Sequence, residues 1–179
     1  MMDIFEQKRV LDSFSIIADN REQDTPRARE RYEQMNAPIE RATLDYGDYT
    51  FNAVLPTGAK IYDINTRIKP VCVIERKMDL DELAQCFTRN RERFHREFER
   101  AKDNNARIYL LVENATFEKL VNGRYASRFN PHAFLGSVSA YMVRYNMVLL
   151  FCKAETSPVL IKEILHRDLK ERLACGEYG

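Results

Sequence analysis

The chain has little of what metal clusters and disulfide scaffolds are made from, with 4 cysteines and 3 histidines in 179 residues. Cys72, Cys86, Cys152 and Cys175 are widely spaced and form no Cys-x-x-Cys pair. His95, His132 and His166 show neither His-x-x-x-His nor His-Glu-x-x-His spacing. Zinc fingers, disulfide-stapled miniatures and histidine-built metal centres are therefore poor starting points, and any metal would be held by carboxylates. Cys72 and Cys152 lie in apolar runs and read as reduced core thiols. Glycine and proline, at 6 each, are too few for collagen-like or low-complexity chains. No apolar run approaches the ~20 residues of a membrane helix. The start, Met1 to Lys8, lacks the basic, apolar, then small-residue order of a secretory signal. A cytoplasmic chain with no membrane partner is the expectation.

What is present suits a globular α/β protein: 45% of residues are hydrophobic and 31% charged. At ~150 residues per domain the length gives one domain, expected over 14–175, with 1–13 as an N-terminal extension and 176–179 as a tail. The net charge of +1 hides an asymmetry, because residues 1–48 carry 7 basic and 11 acidic groups and the remainder is net +5. Binding a polyanion would need a local basic patch rather than a global field.

Patterning predicts alternating strands and helices. Phe14–Ala18 reads as a strand, followed by Thr25-Pro26 as a cap and first helical residue and by a polar helix to about Gln34. Asp45-Tyr46-Gly47-Asp48 is a turn that enters the β-branched and aromatic strand Tyr49–Val54. The apolar run Val71–Ile74 breaks abruptly into Glu75-Arg76-Lys77, as expected for a central strand whose end emerges at a site. Asp79–Leu83 opens a helix that runs to about Lys102 with a break near Asn90. Ile108–Val112 and Met147–Phe151 read as further apolar strands, and 131–145 and 157–173 as helices.

Side chains alternate across a strand, so Glu75 and Lys77 share one face while Arg76 takes the other. A carboxylate pair such as Asp48 and Glu75 offers the hard oxygen ligands that Mg²⁺ prefers, and Lys77 adds a cation beside it. Taken alone, Glu-x-Lys is a weak signal. Its context is stronger: Asp19-x-Arg21-Glu22 follows a strand, Gly47-Asp48 enters one, Glu75-Arg76-Lys77 leaves one, and Asp81 lies four residues after Lys77.

This succession resembles the nuclease domain of the XPF-type structure-specific endonucleases, whose pattern is Gly-Asp, a variable gap, then Glu-Arg-Lys-x-x-x-Asp, with a preceding Asp-x-Arg-Glu. The likeness extends through Arg93-Phe94 and the strand Tyr109–Glu113, over roughly residues 14–155. It implies a restriction-endonuclease-like α/β fold, a mixed central β-sheet flanked by helices on both sides, that cleaves branched or flap DNA with Mg²⁺ or Mn²⁺ and no organic cofactor. It implies Asp48 and Glu75 as metal ligands and Lys77 as the catalytic lysine. Asp19 and Glu22 would be further acidic members of the site, Arg21 and Arg76 supporting basic residues, and Asp81 a structural helix-start residue. Members of the family often form a homodimer through this domain. Where the family usually has Gln after its Arg-Phe pair, this chain has Glu97. No counterpart of the helix-hairpin-helix module carried by many members is read in this sequence.

Between Arg89 and Arg107 there are 7 basic and 4 acidic residues. At 3.6 residues per turn Arg89, Arg93, Arg96 and Arg100 share one stripe, and Phe87, Phe94, Phe98 and Ala101 another. The phenylalanines would pack while the guanidinium groups hold a DNA backbone without reading its sequence. Alternatives to a branch-selective nuclease are a less selective restriction-like or end-processing enzyme and a non-catalytic DNA-binding subunit.

Overall fold

The computed structural model describes residues 2–178. These group into two compact units, one of residues 2–44, 48–68 and 158–178, the other of residues 45–47 and 69–157. Each unit is a mixed α/β layer structure.

The first unit holds helix α1 (Ile4–Asp12), strand β1 (Ser15–Asp19), helix α2 (Pro26–Met35), strands β2 (Ile39–Leu44), β3 (Tyr49–Asn52) and β4 (Arg67–Ile68), and the body of helix α7 (Ser157–Ala174). Its strands run in the order β4-β2-β1-β3. β1 pairs parallel with β2, β2 parallel with β4, and β1 antiparallel with β3. All five residues of β1 and all four of β3 are buried, the polar Ser15, Asp19, Thr50 and Asn52 included, so both faces of these strands are covered. α2 starts where the sequence indicates: the Thr25 hydroxyl accepts the Ala28 N–H and Pro26 fills the first turn, where its missing N–H costs nothing. It stops at Asn36, whose φ of 46° is left-handed.

The second unit holds strand β5 (Cys72–Lys77), helices α3 (Leu80–Phe87) and α4 (Arg91–Asp103), strand β6 (Arg107–Glu113), helices α5 (Phe117–Val121) and α6 (Pro131–Tyr145), and strand β7 (Val148–Cys152). β5, β6 and β7 are parallel neighbours. The expected break near Asn90 separates α3 from α4. α3 is capped by Asp79, whose carboxylate accepts the Glu82 N–H. The phenylalanine stripe is buried as expected: Phe87 and Phe98 meet Tyr141 edge-on, Phe94 stacks on Tyr141, and Tyr145 packs on Phe98. Both tyrosines thus serve the core.

Four elements went unread. α1 occupies the stretch taken as an extension; its signature is a capping box in which Asp3 and Glu6 each bond the other's backbone N–H. β2 lies just before the expected turn at Asp45, where Glu40 and Arg41 interrupt its apolar pattern. β4 and α5 are shorter than any period that patterning resolves. β7 is strongly apolar yet only half-buried, being the last strand of its sheet, so Cys152 is half-exposed where Cys72 is buried. No helix among the described residues is long and apolar enough to cross a membrane.

Candidate active site

The C-terminal end of β1 and the start of β3 bring the first acidic group together. The Asp19 N–H donates to the Asp48 carbonyl at 2.9 Å, so the Asp-x-Arg-Glu and Gly-Asp signals meet through their backbones. The Asp19 carboxylate is 1% exposed and fully engaged. Oδ1 accepts the Arg21 N–H and Nε, both at 2.7 Å, and Oδ2 accepts Arg21 Nη2 at 3.1 Å and the Leu44 N–H at 2.8 Å. Four donors use the roughly four lone-pair positions of a carboxylate. Asp19 therefore acts as an internal clamp on Arg21, whose Nη2 also reaches the Leu44 carbonyl.

Glu22 has a denser set of partners than the sequence indicated. Arg31 from α2 meets its Oε1 at 2.5 Å, the Tyr32 hydroxyl donates to Oε2 at 3.1 Å, and the Tyr49 hydroxyl donates to the same oxygen. Arg41 bonds the Tyr32 hydroxyl and the Glu22 carbonyl. Burial and then the charge of Glu22 push the Tyr32 phenol up to about 12 and raise that of Tyr49, so both remain protonated donors in neutral solution. Arg31, Tyr32, Tyr49 and Arg41 carry no motif of their own. Only the helical and strand placement of these residues around Glu22 reveals them.

In the second unit, β5 delivers the Glu-Arg-Lys triplet with the expected alternation. Lys77 Nζ is 2.5 Å from Glu75 Oε1, and the two side chains are buried, 11% and 8% exposed. The Lys77 ammonium also lies 5.7 Å from the Phe94 ring centroid, over the aromatic face. Arg76 points the opposite way and pairs with Glu113 of β6 at 3.0 Å, while Glu113 accepts the Ser157 hydroxyl on its other oxygen. Asp81 accepts the N–H groups of Ala126 and Ser127 at 3.2 and 2.6 Å and so fastens the loop between α5 and α6. Cys86 is buried near Glu75 and Lys77, and burial pushes its thiol up to about 12, which makes it inert.

Gly47 and Glu75 line one small pocket, together with Glu97 of α4. Gly47 has φ +73°, and a Cβ there would lie 2.0 Å from Val73 Cγ2, so no other residue fits. The residue that follows Gly47 in the chain is Asp48. Arg93, itself exposed, bonds the largely buried Glu97 at 3.2 Å, and Arg96 sits 3.9 Å from Glu92 on the exposed face of α4. Arg89 precedes α4 and is exposed. Arg100 departs from the stripe: its guanidinium turns to the Asp45 carbonyl, with Nη2 at 2.7 Å.

Among the described residues no three or more His, Cys, Asp or Glu side chains converge as a metal cage. The available donors are carboxylate oxygens, as at Asp48 and Glu75. That chemistry fits Mg²⁺ or Mn²⁺, of which Mg²⁺ is commonly held by one or two carboxylates with water in its other positions.

The sequence profile of the ERCC4 domain matches residues 18–161. The chain belongs to the ERCC4 domain family. The XPF-type resemblance read from the motifs is thereby borne out. No curated protein matches the chain in sequence. Among solved structures, XPF from Aeropyrum pernix superposes with a TM-score of 0.59 at 17% identity, over 86% of this chain and 61% of that one. The same protein in a complex with DNA gives 0.58 at 18% identity, over 88% and 65%. This ERCC4 domain thus shares the XPF fold, and it spans less than two thirds of those XPF chains.

Proposed function

We propose that this ERCC4 domain is a metal-dependent DNA endonuclease that hydrolyses phosphodiester bonds at branched or flap structures in repair or recombination. The observation that carries the reading is the buried Glu75–Lys77 pair at the end of β5, in the family's motif and beside Gly47. The XPF structure in a complex with DNA supports DNA as the partner here. Asp48 and Glu75 are the proposed metal ligands, and Mg²⁺ or Mn²⁺ bound there would supply Lewis-acid polarisation of the phosphate and an acidified water.

The chain's own residues do the rest. Glu75 holds the Lys77 ammonium, and Lys77 orients the attacking water and offsets negative charge on the phosphoryl oxygens. Phe94 walls off one side of that ammonium and keeps it from bulk water. Arg89, Arg93 and Arg96 are the proposed contacts to the phosphate backbone, which would position the duplex without reading bases. Glu22, held by Arg31 and two phenols, is proposed as a further acidic residue for the reaction.

The test is cleavage of flap, fork and four-way-junction DNA against linear duplex, with Mg²⁺ or Mn²⁺. The wild-type protein cuts branched DNA, while Asp48→Ala and Lys77→Ala proteins bind it and leave it intact. Equal cutting by these variants, or no cutting by wild type with either ion, rejects the reading. Preference for linear duplex rejects the branched substrate alone.

A further inference from the structure

Spacing along the helix puts Arg100 with Arg89, Arg93 and Arg96, as a fourth cation for DNA. Its geometry gives it a different task. Nε and Nη2 both donate to the Asp45 carbonyl, at 3.2 and 2.7 Å, and Nε is 3.4 Å from the Asp45 carboxylate, which is 10% exposed. One turn further along, Asn104 Nδ2 donates to the Tyr46 hydroxyl at 2.8 Å and to the Lys69 carbonyl at 3.2 Å. The Tyr46 hydroxyl in turn donates to the Pro70 carbonyl at 2.8 Å, and Tyr46 is 2% exposed. Gly47 is fixed by its left-handed backbone over Val73.

Two consecutive residues are therefore held from α4 and its C-cap, Asp45 by Arg100 and Tyr46 by Asn104, and Gly47 follows them with a left-handed backbone that admits no side chain beside Val73. The next residue in the chain is Asp48. We propose that Arg100 and Asn104 are positioning residues that fix the backbone leading into Asp48 and so set the direction of its carboxylate, and that Arg100 is not a phosphate contact. This rests on the reading of Asp48 as a metal ligand. A guanidinium suits the role because its planar fork spends two N–H groups on one carbonyl while keeping its charge beside the Asp45 carboxylate. Groups hydrogen-bonded directly to a metal ligand change metal affinity ~10–100-fold when removed, and a clamp acting through the backbone belongs at the lower end of that range.

Three measurements on Arg100→Ala, Arg100→Lys, Asn104→Ala and Arg96→Ala proteins decide the matter. Hydrogen exchange of peptides covering residues 44–50 rises in Arg100→Ala and Asn104→Ala and stays at the wild-type level in Arg96→Ala. Calorimetric titration with Mn²⁺ alone, without DNA, shows about tenfold weaker uptake by Arg100→Ala, partly restored in Arg100→Lys. The slope of log affinity for DNA against log salt falls by about one in Arg96→Ala and is unchanged in Arg100→Ala. A slope lowered by about one in Arg100→Ala, with exchange and Mn²⁺ uptake as in wild type, overturns the proposal and returns Arg100 to the DNA-binding stripe. A wild-type protein that takes up no Mn²⁺ rejects instead the metal reading of Asp48, and with it the purpose assigned to the clamp; the exchange data then report the clamp by themselves.

Discussion

Arg76 sits in the middle of the Glu-Arg-Lys triplet, yet its contacts are those of a structural ion pair, and replacing it measures the difference. Its guanidinium is 17% exposed and stands 3.0 Å from the Glu113 carboxylate, which is 4% exposed. In Arg76→Ala, Glu113 keeps the hydroxyl of the fully buried Ser157 on one oxygen and faces an emptied space with the other. Breaking a buried pair in this way costs ~3–5 kcal/mol, because the orphaned carboxylate remains desolvated. Partial exposure of the arginine head lets water reach the gap, so the lower end, ~3 kcal/mol, is expected. For a chain of this size that lowers the melting temperature by roughly 6–12 °C, at ~2–4 °C per kcal/mol. Replacing both partners, Arg76→Met with Glu113→Leu, removes the stranded charge but orphans the buried Ser157 hydroxyl, so part of the loss is recovered and part remains. The assay is urea unfolding followed by circular dichroism on the two single variants and the double variant, with DNA cleavage measured well below the transition. The reasoning is refuted if Arg76→Ala unfolds like wild type, within ~0.5 kcal/mol, and yet abolishes cleavage, since Arg76 would then act on substrate.

Further outcomes follow from the same contacts. Gly47→Ala combines left-handed strain of ~1–2 kcal/mol with overpacking of ~1–3 kcal/mol against Val73. Gly58→Ala, at φ +83° with open space around it, bears only the strain, so urea midpoints that fail to separate the two variants contradict the packing argument. Asp81→Ala frees the N–H groups of Ala126 and Ser127 and costs ~2 kcal/mol at most; trypsin then cleaves faster after Arg124 and Arg128, and an unchanged digestion rate counts against the anchor. Burial, then the charge of Glu22, holds the Tyr32 phenol at about 12, and burial, then the bond to Glu99, does the same for Tyr145. In the unfolded chain these phenols ionise near their ordinary value of 10. Their stabilising share is therefore intact below pH 10 and lost as pH rises through about 12. Urea midpoints fall over that window, less steeply in Tyr32→Phe, and an identical fall in that variant removes Tyr32 from the account.

Long apolar runs and strong caps made most of the fold legible. β1, β5 and β6 each contain a run of at least three consecutive apolar residues, and α2 and α6 each open on a capping side chain followed by proline, so period, length and punctuation agree. β2 was obscured because Glu40 and Arg41 spend their charges on specific partners, Ser15 and Lys60 for one, Tyr32 and the Glu22 carbonyl for the other. A pattern of charge cannot distinguish such pairing from solvation. The same limit applies to the candidate site. Strand alternation correctly put Glu75 with Lys77 and Arg76 apart from them, since a period of two is a local property. The Leu44 bond that completes the saturation of Asp19, the partners of Glu22 and the inward turn of Arg100 depend on residues 9 to 55 positions away, and no local period contains them.

The most direct test of the nuclease account is anomalous diffraction from crystals soaked in Mn²⁺. The account expects a manganese peak within ~2.0–2.6 Å of carboxylate oxygens from both Asp48 and Glu75, with water in the remaining positions. A peak bound elsewhere, or one that touches only one of these two carboxylates, contradicts it.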